Sequence, residues 1–186
     1  MPTILSVLQR QHWPVTFHNL LTAVRAVGFE YVLEGNQPVT LFAPSDEAFD
    51  RWHQGVIYDL LKNLTLLQTL IASHIVPLKL TQAMLKQEAS KSTLEPPGAP
   101  LTPPQRREPV VELATVAHSR LLVSFSRGFR VQGVPVIGVQ QEADNGMIHT
   151  VEHILWPPHL SEAAFHLLPP CIPQPLHIDP HNLQGF

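Results

Sequence analysis

The stretch Val39-Thr40-Leu41-Phe42-Ala43-Pro44-Ser45-Asp46-Glu47-Ala48-Phe49 changes character in its middle. Val39 to Ala43 is a β-branched and apolar run preceded by Asn36-Gln37-Pro38 and stopped by Pro44, the pattern of a buried strand. Ser45 is a preferred helix N-cap residue. Asp46 and Glu47 then fall in the first turn, where each carboxylate complements the helix dipole by roughly 0.3–1 kcal/mol. The stretch therefore predicts a strand running straight into a helix, with Phe42, Phe49 and Trp52 wedged between helix and sheet.

Working outward, Thr16 reads as the cap of a helix with Phe17, Leu20, Leu21, Val24 and Val27 at helical spacing, ended by Gly28. Ile57 to Lys62 and Leu64 to Ser73 are further helical patterns. Beyond them the pattern turns β-like at Val110 to Val116, Arg120 to Ser126, Phe129 to Gln132, Val134 to Val139 and Met147 to Leu155. Arg127-Gly128 and Asn145-Gly146 mark turns, and Asn-Gly predicts a type I′ hairpin with positive φ at both residues. Helices followed by strands give an α+β class. Prolines cluster in Glu95 to Pro109 and again after Pro157. The expected organisation is a leader over 1–15, one domain over 16–158 with a proline-rich internal loop at about 87–109, and a proline-rich tail over 159–186.

Composition narrows the function. The 186 residues carry a formal charge of -3 with histidine neutral and show no basic stripe, so nucleic acid is not an expected partner. No apolar run reaches the ~20 residues needed to span a bilayer. Met1 to Arg10 carries no secretory signal pattern. Cys171 is the one cysteine, which excludes an internal disulfide and a cysteine-rich zinc site. With 11 histidines, acidification could carry the charge from -3 to a ceiling of +8, less whatever buried histidines withhold.

Three ordered blocks carry a family resemblance. Thr40 to Phe49 resembles the first signature block of the fasciclin (FAS1) domain family. Leu70-Ile71-Ala72-Ser73-His74-Ile75-Val76-Pro77 is similar to its Tyr-His-Val-Val-Pro segment, with Ser73 in the tyrosine's place and Leu78 in that of a glycine. Asn145-Gly146-Met147-Ile148-His149 through Pro157 resembles its closing Asn-Gly-Val-Ile-His block, and Gln140 sits near where an aspartate is common. The resemblance implies a β-sheet wedge or sandwich flanked by N-terminal helices. It also implies a non-enzymatic adhesion or binding module that contacts a protein, glycan or matrix surface and needs no cofactor. Family members usually act outside the cell or in the periplasm; the compartment of this chain stays open.

The candidate contacts are His74, Ile75 and Val76, together with the pre-extended proline-rich segments. A histidine at a helix end is also a natural hydrogen-bonding core residue, the structural alternative for His74. A carrier of an apolar small molecule is the competing function, because some family members bind carotenoids and Leu60 to Ile71 holds more aliphatics than one buried face needs. His149-Thr150-Val151-Glu152-His153 matches the HxxEH metallopeptidase pattern. That chemistry needs a helix; in a strand the two rings stand ~13 Å apart along the chain, too far to share one ion. No catalytic residue and no metal ligand is therefore assigned. Asn63-Leu64-Thr65 fits the glycosylation triplet, which carries meaning only in a secreted chain.

Overall fold

The computed structural model describes residues 2–10, 15–52, 55–92 and 110–157. Helices α1 (Ile4–Arg10), α2 (His18–Ala26) and α3 (Glu30–Glu34) precede strand β1 (Val39–Pro44). Helices α4 (Asp46–Asp50), α5 (Val56–Leu61) and α6 (Leu64–Ser73) lead to β2 (Ile75–Val76) and α7 (Gln82–Ser92). The described residues end with β3 (Val110–Ala114), β4 (Arg120–Ser124), β5 (Arg130–Val131), β6 (Val134–Ala143) and β7 (Gly146–Val151). The seven strands form one sheet in the order β2-β1-β7-β6-β5-β4-β3. Only β1 and β7 run parallel; the other pairs are antiparallel.

Pleating sorts the two central strands between two cores. Val39, Leu41 and Ala43 of β1 and Ile148 of β7 meet the helices α1 to α6, in the larger core. Phe42 and Val151 face the other way, into a smaller core with Val76, Leu85, Leu113, Leu121, Val123, Val131 and Leu155. After β3 the chain returns to the far edge, where the Val116 N–H donates to Ile75 O at 2.8 Å and covers β2. The sheet thus curls into a wedge around the second core, with α1 to α6 on its outer face and α7 adding Leu85 to the core inside.

The α+β expectation holds, and Ser45 caps α4 through an Oγ that accepts from the Ala48 N–H. Gly28, at φ +72°, ends α2 as expected. Its N–H meets Arg25 O and that of Phe29 meets Val24 O, the paired bonds of a Schellman cap. Phe42 and Phe49 are fully buried, and Trp52 packs against the larger core.

Several expectations are corrected. Thr16 does not cap α2. Asp46 does so from another helix, its carboxylate accepting from the N–H groups of His18 and Asn19 at 3.0 and 2.7 Å. Burial works against its charge, but bonds from Thr16, Asn19 and His18 outweigh that and hold the carboxyl below its usual range. The leader does not stand apart, because Ile4, Leu5 and Leu8 of α1 are buried in the larger core. Residues 87–92, assigned to the proline-rich loop, continue α7. Residues 93–109, the tail and Cys171 lie outside the described residues.

Asn145-Gly146 is not a type I′ turn, since neither residue has positive φ. The two-residue connection is Asp144-Asn145, closing on the pair Ala143↔Gly146. Gly146 is a glycine for lack of room: a Cβ there would penetrate the Val39 carbonyl oxygen of β1 and lie 2.8 Å from Ile4 Cδ1. Strand β7 ends at Val151, four residues earlier than expected. The strand expected to end at Val139 instead continues to Ala143, and its register with β7 shifts between Ile137 and Gln141. This bulge contains Gly138 at φ +70° and holds Val139 out from the sheet.

Candidate functional site

Helix α6 delivers His74 to the edge of the sheet. Asn63 starts the helix by accepting the Leu66 N–H at its Oδ1, and Leu67, Leu70 and Ile71 bury one face. The fold then locks His74 at three points. Its carbonyl accepts the Phe42 N–H of β1 at 2.9 Å. Its Nδ1 lies 2.7 Å from Leu70 O, and its Nε2 lies 3.0 Å from the Leu155 N–H. A carbonyl only accepts and an amide N–H only donates, so the neutral ring carries its hydrogen on Nδ1 and offers a lone pair at Nε2. Burial disfavours the imidazolium and, although the Leu70 carbonyl pulls the other way, lowers the His74 pKa to about 4.

Ile75 and Val76 follow as β2 and are also buried. The three predicted contact residues thus turn inward, and the role seen for them is to fix the edge of the sheet. At 1% exposure the His74 ring is the bonded core histidine of the alternative reading. The apolar surplus that motivated a carrier is likewise absorbed: Leu60, Leu67, Leu70 and Ile71 are core residues and Leu61 and Leu66 pack on them, leaving Leu64 exposed.

What these residues position is the segment that follows. Pro77 to Gln82 crosses β1, β7 and β6 in turn. The Thr40 Oγ1 donates to Leu78 O at 2.6 Å and accepts the Leu80 N–H at 2.8 Å. His149 Nε2 donates to Leu80 O at 3.0 Å. Lys79 pairs with Glu142 at 2.8 Å, and Gln140 Oε1 accepts the Gln82 N–H at the start of α7. Around this strap stand apolar side chains in solvent: Leu78 at 55% exposure, Met84 at 47% and, at the tip of the bulge, Val139 at 84%. Sequence reading missed these exposed side chains, because a bulge has no periodic signature and Gln140 gives no sign that it will cap a helix fifty-odd residues away.

His149, Glu152 and His153 are not brought together as a site. His149 sits on β7 between Phe42, stacked at 5.5 Å, and Phe129, edge-on at 5.2 Å. Burial pushes its imidazole pKa down, against the pull of the Leu80 carbonyl. Glu152 lies past the strand end, and its hydrogen bond from Arg51 holds it below the usual carboxylate range; His153 is exposed. Among the described residues no group of three or more His, Cys, Asp or Glu could hold a metal ion.

The sequence profile of the fasciclin domain matches residues 15–157, which spans all three signature blocks, the smaller core and the larger core apart from α1. The chain belongs to the fasciclin domain family. Within the family it is 30% identical over 155 residues to the uncharacterized protein sll1735 of Synechocystis sp., covering 83% of this chain and 98% of that protein. It is 32% identical over 147 residues to mouse stabilin-1, covering 76% of this chain but 5% of stabilin-1. A solved FAS1 domain pair from the insect cell adhesion molecule Fasciclin I matches with a TM-score of 0.48 at 19% identity, over 77% of this chain and 48% of that one. Helix α1 lies ahead of the matched residues and contributes to the same core.

Proposed function

We propose that this fasciclin domain is a non-enzymatic binding module that contacts a protein, glycan or matrix surface through the ridge of Leu78, Met84 and Val139. The observation that carries this reading is the bulge: it spends ladder pairing to hold Val139 in water, while Gln140 ties the same loop to the start of α7. Apolar side chains on a braced, irregular segment are what an interface needs, because their geometry is set before the partner arrives. His74, Ile75 and Val76 serve the contact indirectly by anchoring the strap.

The test is binding of the purified chain to arrays of matrix proteins and glycans, with Leu78→Asp/Val139→Asp alongside. Each side chain is exposed, so the variant should melt within a few degrees of wild type, surface changes being worth about 0.5 kcal/mol. Affinity should fall at least about tenfold, the effect of losing about 1.4 kcal/mol at an interface. A variant that binds like wild type removes the ridge from the contact.

A further inference from the structure

We propose that His74 and Leu155 form an acid-released latch: a proton taken from solvent at Nε2 turns the acceptor of the Leu155 N–H into a second donor, and residues 152–157 detach while the strands stay paired. The argument rests on bond polarity. With Nδ1–H already given to Leu70 O, Nε2 is where the ring gains its proton. That nitrogen is also the one holding the Leu155 N–H at 3.0 Å. An imidazolium N–H facing an amide N–H cannot bond, so protonation at Nε2 removes the hydrogen bond of the latch.

Among the described residues, the groups that the His74 ring and backbone bond supply no compensating charge. Ser73 Oγ, 3.5 Å from Nδ1, and Leu70 O lie on the helix side, Phe42 lies on β1, and Leu155 lies on the far side; all are uncharged. The charged groups of the detaching segment are Glu152, engaged by Arg51, and the exposed His153. Among the described residues the segment is also held by the Glu152 N–H on Pro135 O at 3.1 Å, Ile154 in the larger core, Leu155 in the smaller, and Trp156 edge-on to Trp52 at 4.8 Å. These contacts set how rare the open form is at neutral pH. The titration sets how far it grows.

The sign follows from linkage. His74 titrates at about 4 when latched and at its ordinary 6.5 when open, so acid favours the open form. Opening is little changed above pH 6.5 and grows as pH falls toward 4, by about 20-fold from pH 7 to 5 and about 100-fold by pH 4. Hydrogen exchange of the full chain across this range, corrected for the intrinsic pH dependence of exchange, should show the Leu155 amide deprotected by these factors while Ile148 to Val151 stay protected. The Nε2 ¹⁵N shift of His74, which reports the predominant latched form, should keep its acceptor character down to about pH 5 and move to protonated character only near pH 4. In His74→Gln, whose carbonyl can accept the Leu155 N–H without titrating, the acid dependence should vanish. Loss of protection in β1, β7 and residues 152–157 together, or a Leu155 amide indifferent to the ring's titration, would overturn the latch. If His74→Gln fails to fold, the wild-type exchange decides: excess exchange at Leu155 that begins near pH 6.5 and levels off where the ring itself titrates supports the latch, and exchange flat across that range overturns it.

Discussion

Gly146→Ala should leave a chain that does not fold stably at 37 °C, losing at least about 4 kcal/mol. The added methyl group would enter the Val39 carbonyl oxygen and stand 2.9 Å from its carbon, both backbone atoms of the neighbouring strand. A flexible side chain could give way; a backbone inside a paired sheet cannot. Gly146 is the Cα partner of Val39 in the parallel β1/β7 pair, which links the two cores. Relieving the clash would shift one central strand and strip its ladder bonds. Since a domain holds only about 5–15 kcal/mol in total, one such clash takes a large share of it. Urea denaturation with circular dichroism measures the loss. A midpoint close to wild type would mean that β1 and β7 can separate at this point without cost, against the geometry described.

That effect could not be inferred from the sequence, which offered a different reason for the same glycine. Asn-Gly between two strands reads as a turn needing positive φ, and the turn exists, but one residue earlier and with ordinary dihedrals. Local rules see the chain neighbours of Gly146; its constraint comes from Val39, over a hundred residues away. Asp46 shows the same limit: its place after Ser45 marks it as a first-turn carboxylate, yet its bonds go to α2. Where the determinants are local, the reading succeeds. The run Val39 to Ala43, the Ser45 cap, the Gly28 stop and the periodicity of Leu64 to Ser73 all report the structure adopted. The short α1 was missed because seven residues give too little periodicity to separate from a leader.

The candidate site divides in the same way. His74, Ile75 and Val76 were found because they lie in a recognisable block, but which way they face depends on Leu155 arriving from the other end of the chain. The exposed ridge was not found because exposure of an isolated valine or leucine is unremarkable in sequence. It becomes meaningful only when the Gln82–Gln140 bond places the bulge beside the strap.

Asn145 supplies the second large effect. Its side chain is buried and makes three bonds: Oδ1 accepts the Ile4 N–H at 3.0 Å, and Nδ2 donates to Leu33 O and Gly35 O, each at 2.8 Å. Its own carbonyl accepts the Val39 N–H, so one residue joins α1, the end of α3, β1 and the start of β7. Asn145→Ala deletes all three side-chain bonds and strands buried partners, which should cost about 3–5 kcal/mol. Asn145→Asp separates the two ends of the amide. The carboxylate can still accept from Ile4, but it faces two carbonyl oxygens with no hydrogen to give. Its pKa must then rise above the ordinary 3.9, because the protonated acid can donate to one of those carbonyls. A carboxyl raised in the folded state stabilises relative to the ion below its unfolded pKa and loses that advantage as pH rises through the folded value. The gap between Asn145→Asp and wild type, compared at each pH by urea denaturation, should therefore widen from pH 4.5 to pH 7. A gap that stays constant would show that the carboxylate finds donors there, and that the two carbonyls do not need the asparagine amide.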